Sequence, residues 1–212
     1  MKLEDFSFRL GNKELKPLII GGMGAGKSTA RKALTDEGLA WIDLDQVGHE
    51  VLMWDTVKDD LRGAFGDDIF DENGEVVRSA LAAKAFATPA ATRKLNTITM
   101  PRIEERYTDL IDGFEAEGKP AVVVEYSVFR NRQSSLAYGA DVVMAVLAPL
   151  ETRIERAVKS GFSEEDVRAR IARQITDADR IEASDVVFNN DGTPDELRNE
   201  VISWWNEYKS CC

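Results

Sequence analysis

Residues Gly21 to Thr29 read G-G-M-G-A-G-K-S-T and satisfy the pattern G-x-x-x-x-G-K-S/T, a loop that binds phosphate. The glycines let the backbone wrap close enough for its N–H groups to point at phosphate oxygens. A helix opening directly behind the loop adds the positive end of its dipole. In such a loop Gly22, Met23, Gly24, Ala25, Gly26, Lys27, Ser28 and Thr29 form the nucleotide cradle. Lys27 can reach the β- and γ-phosphates, and the Ser28 hydroxyl can ligate Mg²⁺. The flanks suit the motif. Leu18, Ile19 and Ile20 form a short buried-strand run before it, and Thr29 to Glu37 holds no helix breaker, with Gly38 where a helix would stop.

A second group has the chemistry to handle a hydroxyl. Asp43 and Asp45 lie in the run Ile42, Asp43, Leu44, Asp45. In open α/β sheets the C-terminal ends of the strands form the site. Both acids are expected at the C-terminal end of the second strand, with alternation placing them on similar sides. One carboxylate near the acceptor could orient a hydroxyl and take its proton; the other could bind Mg²⁺ through water. His49 is the sole histidine. One ring cannot build a metal site, so it is read as structural or at a pocket edge.

The elements that must position these groups read as an α/β alternation. Apolar runs at Leu39–Asp43, Ala121–Glu125, Asp141–Leu147 and Asp185–Phe188 join the leading strand. Their continuity suits strands covered on both faces. The expected fold is therefore α/β, a five-stranded parallel sheet flanked by helices. Its core spans about 17–45, 119–151 and 181–212. Residues 46 to 118 are expected to be a helical insertion, with turn points at Gly63, Gly66 and Asp71 to Gly74. Residues 152 to 180 are charged and arginine-rich, with Ser163 as an N-cap. A capping box at Thr193 to Glu196, with Pro194 in first position, opens a last helix. Its Leu197, Val201, Trp204, Trp205 and Tyr208 share one face and are expected to pack on the core. Residues 1 to 16 are mostly polar and read as an extension or an edge hairpin.

Composition narrows the function. With 38 Asp and Glu against 27 Lys and Arg, the net charge is −11. Such a surface repels nucleic acid and anionic membranes. No apolar run is long enough to span a membrane, and the N-terminus lacks the apolar core of a signal peptide. Cys211 and Cys212 are adjacent, a poor geometry for a disulfide. A soluble, cytoplasmic protein is expected.

The motifs, in their order, resemble the dephospho-coenzyme A kinase family. After the phosphate loop come Ile42 to Val51 (I-D-L-D-Q-V-G-H-E-V), Phe65-Gly66, and Gly74 to Leu81 (G-E-V-V-R-S-A-L). Phe86, then Leu95, Asn96, Ile98, Pro101 and Ile103 follow, and later Arg170, Ile171 and Gln174, then Asp185 to Gly192. The resemblance runs from about Leu18 to about Leu197. It implies transfer of the ATP γ-phosphoryl group to the ribose 3′-hydroxyl of dephospho-coenzyme A, with ATP and Mg²⁺ as cofactors. It implies Asp45 as general base and Asp43 as supporting carboxylate. Arg78 and Glu125 would be acceptor contacts, and the helical insertion would bind the acceptor. Residues 152 to 180 would form a mobile lid, in which Arg156, Arg170 and Arg173 neutralise phosphate charge. Asn190 would lie in the turn beside the adenine ring.

The chain departs from the family pattern at three places. Glu125 to Phe129 (E-Y-S-V-F) stands where Pro-Leu-Leu is usual. Lys159, Ser160 and Gly161 replace an Arg-Asp, and Met100 replaces a histidine. All three touch the acceptor or lid side and none the phosphate loop. A small-molecule kinase acting on a nucleoside or sugar is the alternative. A non-catalytic nucleotide-binding protein is opposed by the intact Lys27, Ser28 and Asp45. A switch GTPase is tempting through Asp71 to Gly74 (D-E-N-G) and the terminal cysteine pair. It lacks a guanine-reading N-K-x-D, since Asn12, Lys13, Glu14 and Leu15 precede the loop and end without the aspartate.

Overall fold

The computed structural model describes residues 15–210. Residues 1–14, the bulk of the polar extension, and Cys211 and Cys212 lie outside the described residues. The chain divides into two units. Of the described residues, one unit comprises 15–43 and 113–210, the other 44–112.

The first unit is built on a sheet in the order β2-β3-β1-β4-β5. Its strands are β1 (Pro17–Gly21), β2 (Ala40–Asp43), β3 (Val122–Tyr126), β4 (Val142–Leu147) and β5 (Val186–Asn189), all paired in parallel. All five strand expectations hold to within a residue at each end, the usual ambiguity of element boundaries. β1 lies in the middle and every one of its residues is buried. This explains the uninterrupted apolar run in place of alternation.

α1 (Lys27–Asp36) and α10 (Pro194–Ser210) cover the sheet. Ala30, Ala33 and Leu34 of α1 and Leu197, Val201, Trp205 and Tyr208 of α10 share one core with Ile19, Val123, Met144 and Phe188. The aromatic stripe of the last helix is thus core packing. Its capping box forms as expected: Thr193 N–H donates to Glu196 Oε2 at 2.7 Å, and Glu196 N–H donates to Thr193 Oγ1 at 3.2 Å. Asp185 is a strut. Its carboxylate accepts both arms of the Arg132 guanidinium, at 2.9 and 2.6 Å, and the Val143 N–H at 2.8 Å.

The remaining helices of this unit are α6 (Ser135–Tyr138), α7 (Leu150–Lys159), α8 (Glu164–Ala172) and α9 (Asp177–Ala183). Ser163 caps α8 by accepting the Asp166 N–H.

The second unit holds α2 (Leu44–Val51), α3 (Asp55–Phe65), α4 (Arg78–Ala85) and most of α5 (Pro89–Ala116). Its own core gathers Val51, Val57, Leu61, Ile69, Leu81 and Ala85. Gly63 is not a turn point; it lies inside α3, where the apolar spacing of Val57 and Leu61 outweighs the modest helix cost of one glycine. Gly66 does end that helix, at φ 90°. Asp71 to Gly74 is a turn: Asp71 Oδ1 accepts the N–H groups of Asn73 and Glu75, both at 2.9 Å, between the bridged residues Phe70 and Val76. A local turn, not a nucleotide-sensing motif, accounts for these residues. Among the described residues, no helix is long and apolar enough to cross a membrane.

Candidate active site

The phosphate loop leaves β1 between its two neighbours β3 and β4, where the chain order of the sheet reverses direction. Gly24 and Gly26 take φ of 75° and 104°, left-handed values that a side chain would strain. Gly26 is the N-cap of α1, so the loop runs straight into a helix N-terminus. Lys27 is buried at the start of that helix, and its Nζ lies 3.5 Å from the Gly22 carbonyl. Ser28 beside it is exposed.

Carboxylates flank the loop on one side. Asp43 at the end of β2 is in register with Glu125 of β3. Paired residues of adjacent strands present side chains to the same face. Glu125 accepts a hydrogen bond from Arg31 Nε at 3.1 Å, with its side chain 12% exposed. Burial raises the Glu125 pKa above its ordinary value, Asp43 pushes the same way, and Lys27 and Arg31 oppose both. Arg31 also stacks over the Trp41 ring, 3.9 Å from its centroid. Ser28, Asp43 and Glu125 offer hard oxygen donors of the kind Mg²⁺ prefers. Among the described residues no group of three or more His, Cys, Asp or Glu could hold a metal alone. This donor set therefore fits an ion that arrives largely coordinated by nucleotide phosphates.

Asp45 is not a strand-end residue. β2 stops at Asp43, and Asp45 sits in the first turn of α2. Strand alternation therefore does not relate the two acids. An acid in a first helical turn is favoured by the dipole, which is why the helix starts this early. Within the same unit Arg78 opens α4 and donates from Nη1 to His49 Nε2 at 2.6 Å. A guanidinium only donates, so the ring nitrogen accepts and its proton resides on Nδ1. Gln46, His49, Leu52, Met53, Glu75 and Arg78 line a cavity of about 320 Å³.

Asn190 and Arg156 meet beside the loop. Asn190 is buried, and its Nδ2 donates to the Ala25 carbonyl at 2.8 Å. Arg156 Nη2 donates to the Asn190 carbonyl at 3.2 Å. Among the described residues Arg156 Nη1 and Asn190 Oδ1 are buried polar atoms with no partner. Such atoms are rare in folded proteins and ask for an explanation. Arg170 lies over the Phe162 ring at 5.3 Å, and Arg173 is exposed at the end of α8.

Sequence reasoning missed Arg153. It is 4% exposed, bonded from Nε to the Met23 carbonyl at 3.0 Å. Burial lowers its pKa, although Asp177 favours its charged form. A signal existed: Arg153 falls on the stripe of α7 that also carries Ile154 and Ala157, where a charged residue breaks the apolar pattern. Arg180, at the end of the arginine-rich stretch, is likewise buried, 3% exposed and paired with Asp177.

A family model described as dephospho-CoA kinase matches residues 18–196. Relatives of that name include one from Corynebacterium glutamicum, 39% identical over 185 residues and covering 86% of this chain and 92% of the relative. Another, from Thermobifida fusca, is 34% identical over 195 residues, covering 91% and 96%. Among solved structures, one from Thermus thermophilus superimposes with a TM-score of 0.78 at 24% identity, covering 92% of this chain and 98% of its own. The dephospho-CoA kinase from Campylobacter jejuni gives 0.62 at 19% identity, covering 92% and 97%. These two likenesses speak to the fold, and the sequence matches speak to the family. With a phosphate loop on the central strand and a family match over most of its length, this chain belongs to the dephospho-CoA kinase family.

Proposed function

We propose that this protein transfers the γ-phosphoryl group of ATP to the ribose 3′-hydroxyl of dephospho-coenzyme A, giving ADP and coenzyme A. The carrying observation is the loop geometry: left-handed Gly24 and Gly26, a helix opening at Lys27, and Lys27 itself buried against the loop. In the reaction the 3′-oxygen forms a bond to the γ-phosphorus as the bond to the β-bridging oxygen breaks. The hydroxyl proton passes to a carboxylate, for which the motif Ile42 to Val51 suggests Asp45. Phosphoryl transfer asks mostly for positioning and charge stabilisation, so a weak base is adequate. Lys27 and the loop N–H groups stabilise charge on the β- and γ-phosphates. Mg²⁺, when bound, neutralises phosphate charge; Ser28 would hold it, with Asp43 at the end of β2 as a supporting carboxylate. Arg78 and Glu125 are assigned to the acceptor.

The buried, unpartnered Arg156 Nη1 and Asn190 Oδ1 are a donor and an acceptor beside the loop. A bound nucleotide offers partners to both, which supports their assignment to ATP. Residues 152 to 180 are assigned as the cover over the nucleotide. Several of their arginines already have protein partners: Arg153, Arg168 and Arg180, and Arg156 through Nη2. Closure on binding would therefore involve the exposed α8 more than the buried residues. Hydrogen exchange with and without an ATP analogue checks this, and equal protection of α8 in both states would count against a cover.

The deciding experiment is a coupled assay giving kcat/KM for dephospho-coenzyme A against adenosine and a panel of sugars. Dephospho-coenzyme A is expected to be preferred, since adenosine lacks the diphosphate that Arg78 would hold. A clear preference for any other panel member would move the protein to a different acceptor while leaving the loop assignments in place.

A further inference from the structure

Met23, in the phosphate loop, is held by the segment 150–174. Its partly buried side chain packs against the cluster of Ile154, Ala157 and Val167. Its carbonyl accepts from Arg153 Nε at 3.0 Å, and its N–H donates to Gln174 Oε1 at 3.1 Å. The same Gln174 oxygen lies 3.5 Å from Arg153 Nη2, so the two side chains brace each other. Behind them, Arg153 Nη1 is 3.5 Å from Asp177 Oδ2, and Asp177 Oδ1 accepts from Arg180 Nη1 at 2.5 Å.

The glycines of the loop match this grip. A Cβ on Gly22 would sit 1.9 Å from Arg153 Nη2, and one on Gly24 would sit 2.2 Å from the Arg153 carbonyl oxygen. Side chains at either position would push Arg153 off the loop. Two buried guanidinium groups, Arg153 and Arg180, share the single carboxylate of Asp177. Burying charge without full compensation is costly, and that cost is retained here beside a loop whose ligand is anionic. A glycine-rich loop left to itself would sample many shapes and would have to be ordered at the moment of binding.

We propose that Arg153 and Gln174 are positioning residues of the phosphate loop, clamping both backbone groups of Met23 so that the loop is held in its phosphate-receiving shape before nucleotide arrives. The proposal rests on the loop being the nucleotide site and not on the identity of the acceptor.

The test is calorimetric titration of the full chain with ADP, in the absence of any acceptor, alongside thermal melting. Gln174→Leu keeps bulk but loses the acceptor oxygen, and its Kd for ADP should rise about tenfold, the scale of one lost hydrogen bond in a pre-organised site. Gln174→Glu keeps an acceptor for both Met23 N–H and Arg153 and should bind ADP within about twofold of the parent. A role in packing alone makes the opposite demand: leucine tolerated and glutamate not. In steady state the Gln174→Leu change should appear in KM for ATP more than in kcat. Parent-like ADP affinity in Gln174→Leu, or equal loss in Gln174→Glu, overturns the proposal. Should Gln174→Leu fail to fold, Arg153→Lys decides, because an ammonium cannot fork to Met23 and Gln174 together. Weakened ADP binding then supports the clamp, and unchanged binding overturns it. A parent protein that itself fails to bind ADP would sink the nucleotide reading as a whole, which is a separate result.

Discussion

Arg153 and Arg78 are both arginines assigned to a phosphate-handling protein, and the structure treats them differently. Arg153, in the first unit, is 4% exposed and tied to a backbone carbonyl, a glutamine and a carboxylate. Arg78, in the second unit, is exposed and bonds to the exposed ring of His49. The same contrast runs through their surroundings. Around the phosphate loop Lys27 and Asn190 are buried and Glu125 is largely so. In the helical unit Asp45 is half-buried, and Gln46 and Glu75 line an open cavity wall. Buried polar groups are held in place by the fold because nearly all of them need partners. Exposed ones are free to change at little cost in stability. Lys27, Asn190 and Glu125 are thus held in the core, while Arg78 and His49 of the helical unit lie at the surface. The departures from the family pattern at Met100 and at Ser127 to Phe129 fall in both units, and Phe129 is buried.

Substitutions on the two sides should separate in kind as well as in size. The largest effect is expected from Lys27→Ala, which removes the cation meeting the transferred phosphoryl group. Turnover should fall about a hundredfold or more, and parent-like turnover in a folded variant would sink the mechanism. Asp45→Asn should lower kcat by about a hundredfold, the scale of a lost general base. ATP affinity measured by titration should stay unchanged. Lost ATP binding with a normal residual kcat would instead assign Asp45 to the nucleotide side. Arg78→Ala should raise KM for dephospho-coenzyme A about tenfold, as one charge-assisted contact to a diphosphate, and leave KM for ATP alone. A rise in KM for ATP instead would erase the contrast between the two units.

The smallest effect concerns pH. Burial holds the Glu125 pKa above the usual carboxylate value. The folded state therefore keeps the proton after the unfolded state has released it, so the folded protein binds more protons in that window. Stability then declines as pH rises from the ordinary glutamate range through the raised value. Glu125→Gln removes this ionisation. Denaturant unfolding of both proteins between about pH 4 and pH 7 should show the difference shifting in the variant's favour as pH rises. A pH-independent difference would mean that the Arg31 pair compensates the burial in full.

The sequence alone determined a good deal. The phosphate loop was legible because phosphate binding needs glycines and a lysine at fixed spacing, and that spacing is local. The strands were legible because a parallel sheet covered on both faces demands unbroken apolar runs, as at Leu18 to Ile20 and Val142 to Leu147. The caps at Ser163 and Thr193 were legible because capping acts over three residues. Tertiary structure alone decided what depends on groups far apart in the chain. Asp45 left the strand because α2 begins at Leu44, directly after the last β2 pairing at Asp43. Gly63 stayed helical because Val57 and Leu61 bury themselves in a core assembled from several helices. The place of Arg153 on the apolar stripe of α7 marks it for burial but does not say what it holds. Its role came from a carbonyl 130 residues earlier in the chain, and no local pattern encodes a hydrogen bond to a backbone atom that distant. Side-chain types and their periodicity specify the elements, whereas burial, which only the folded chain creates, decides which charged residues grip the site and which merely face water.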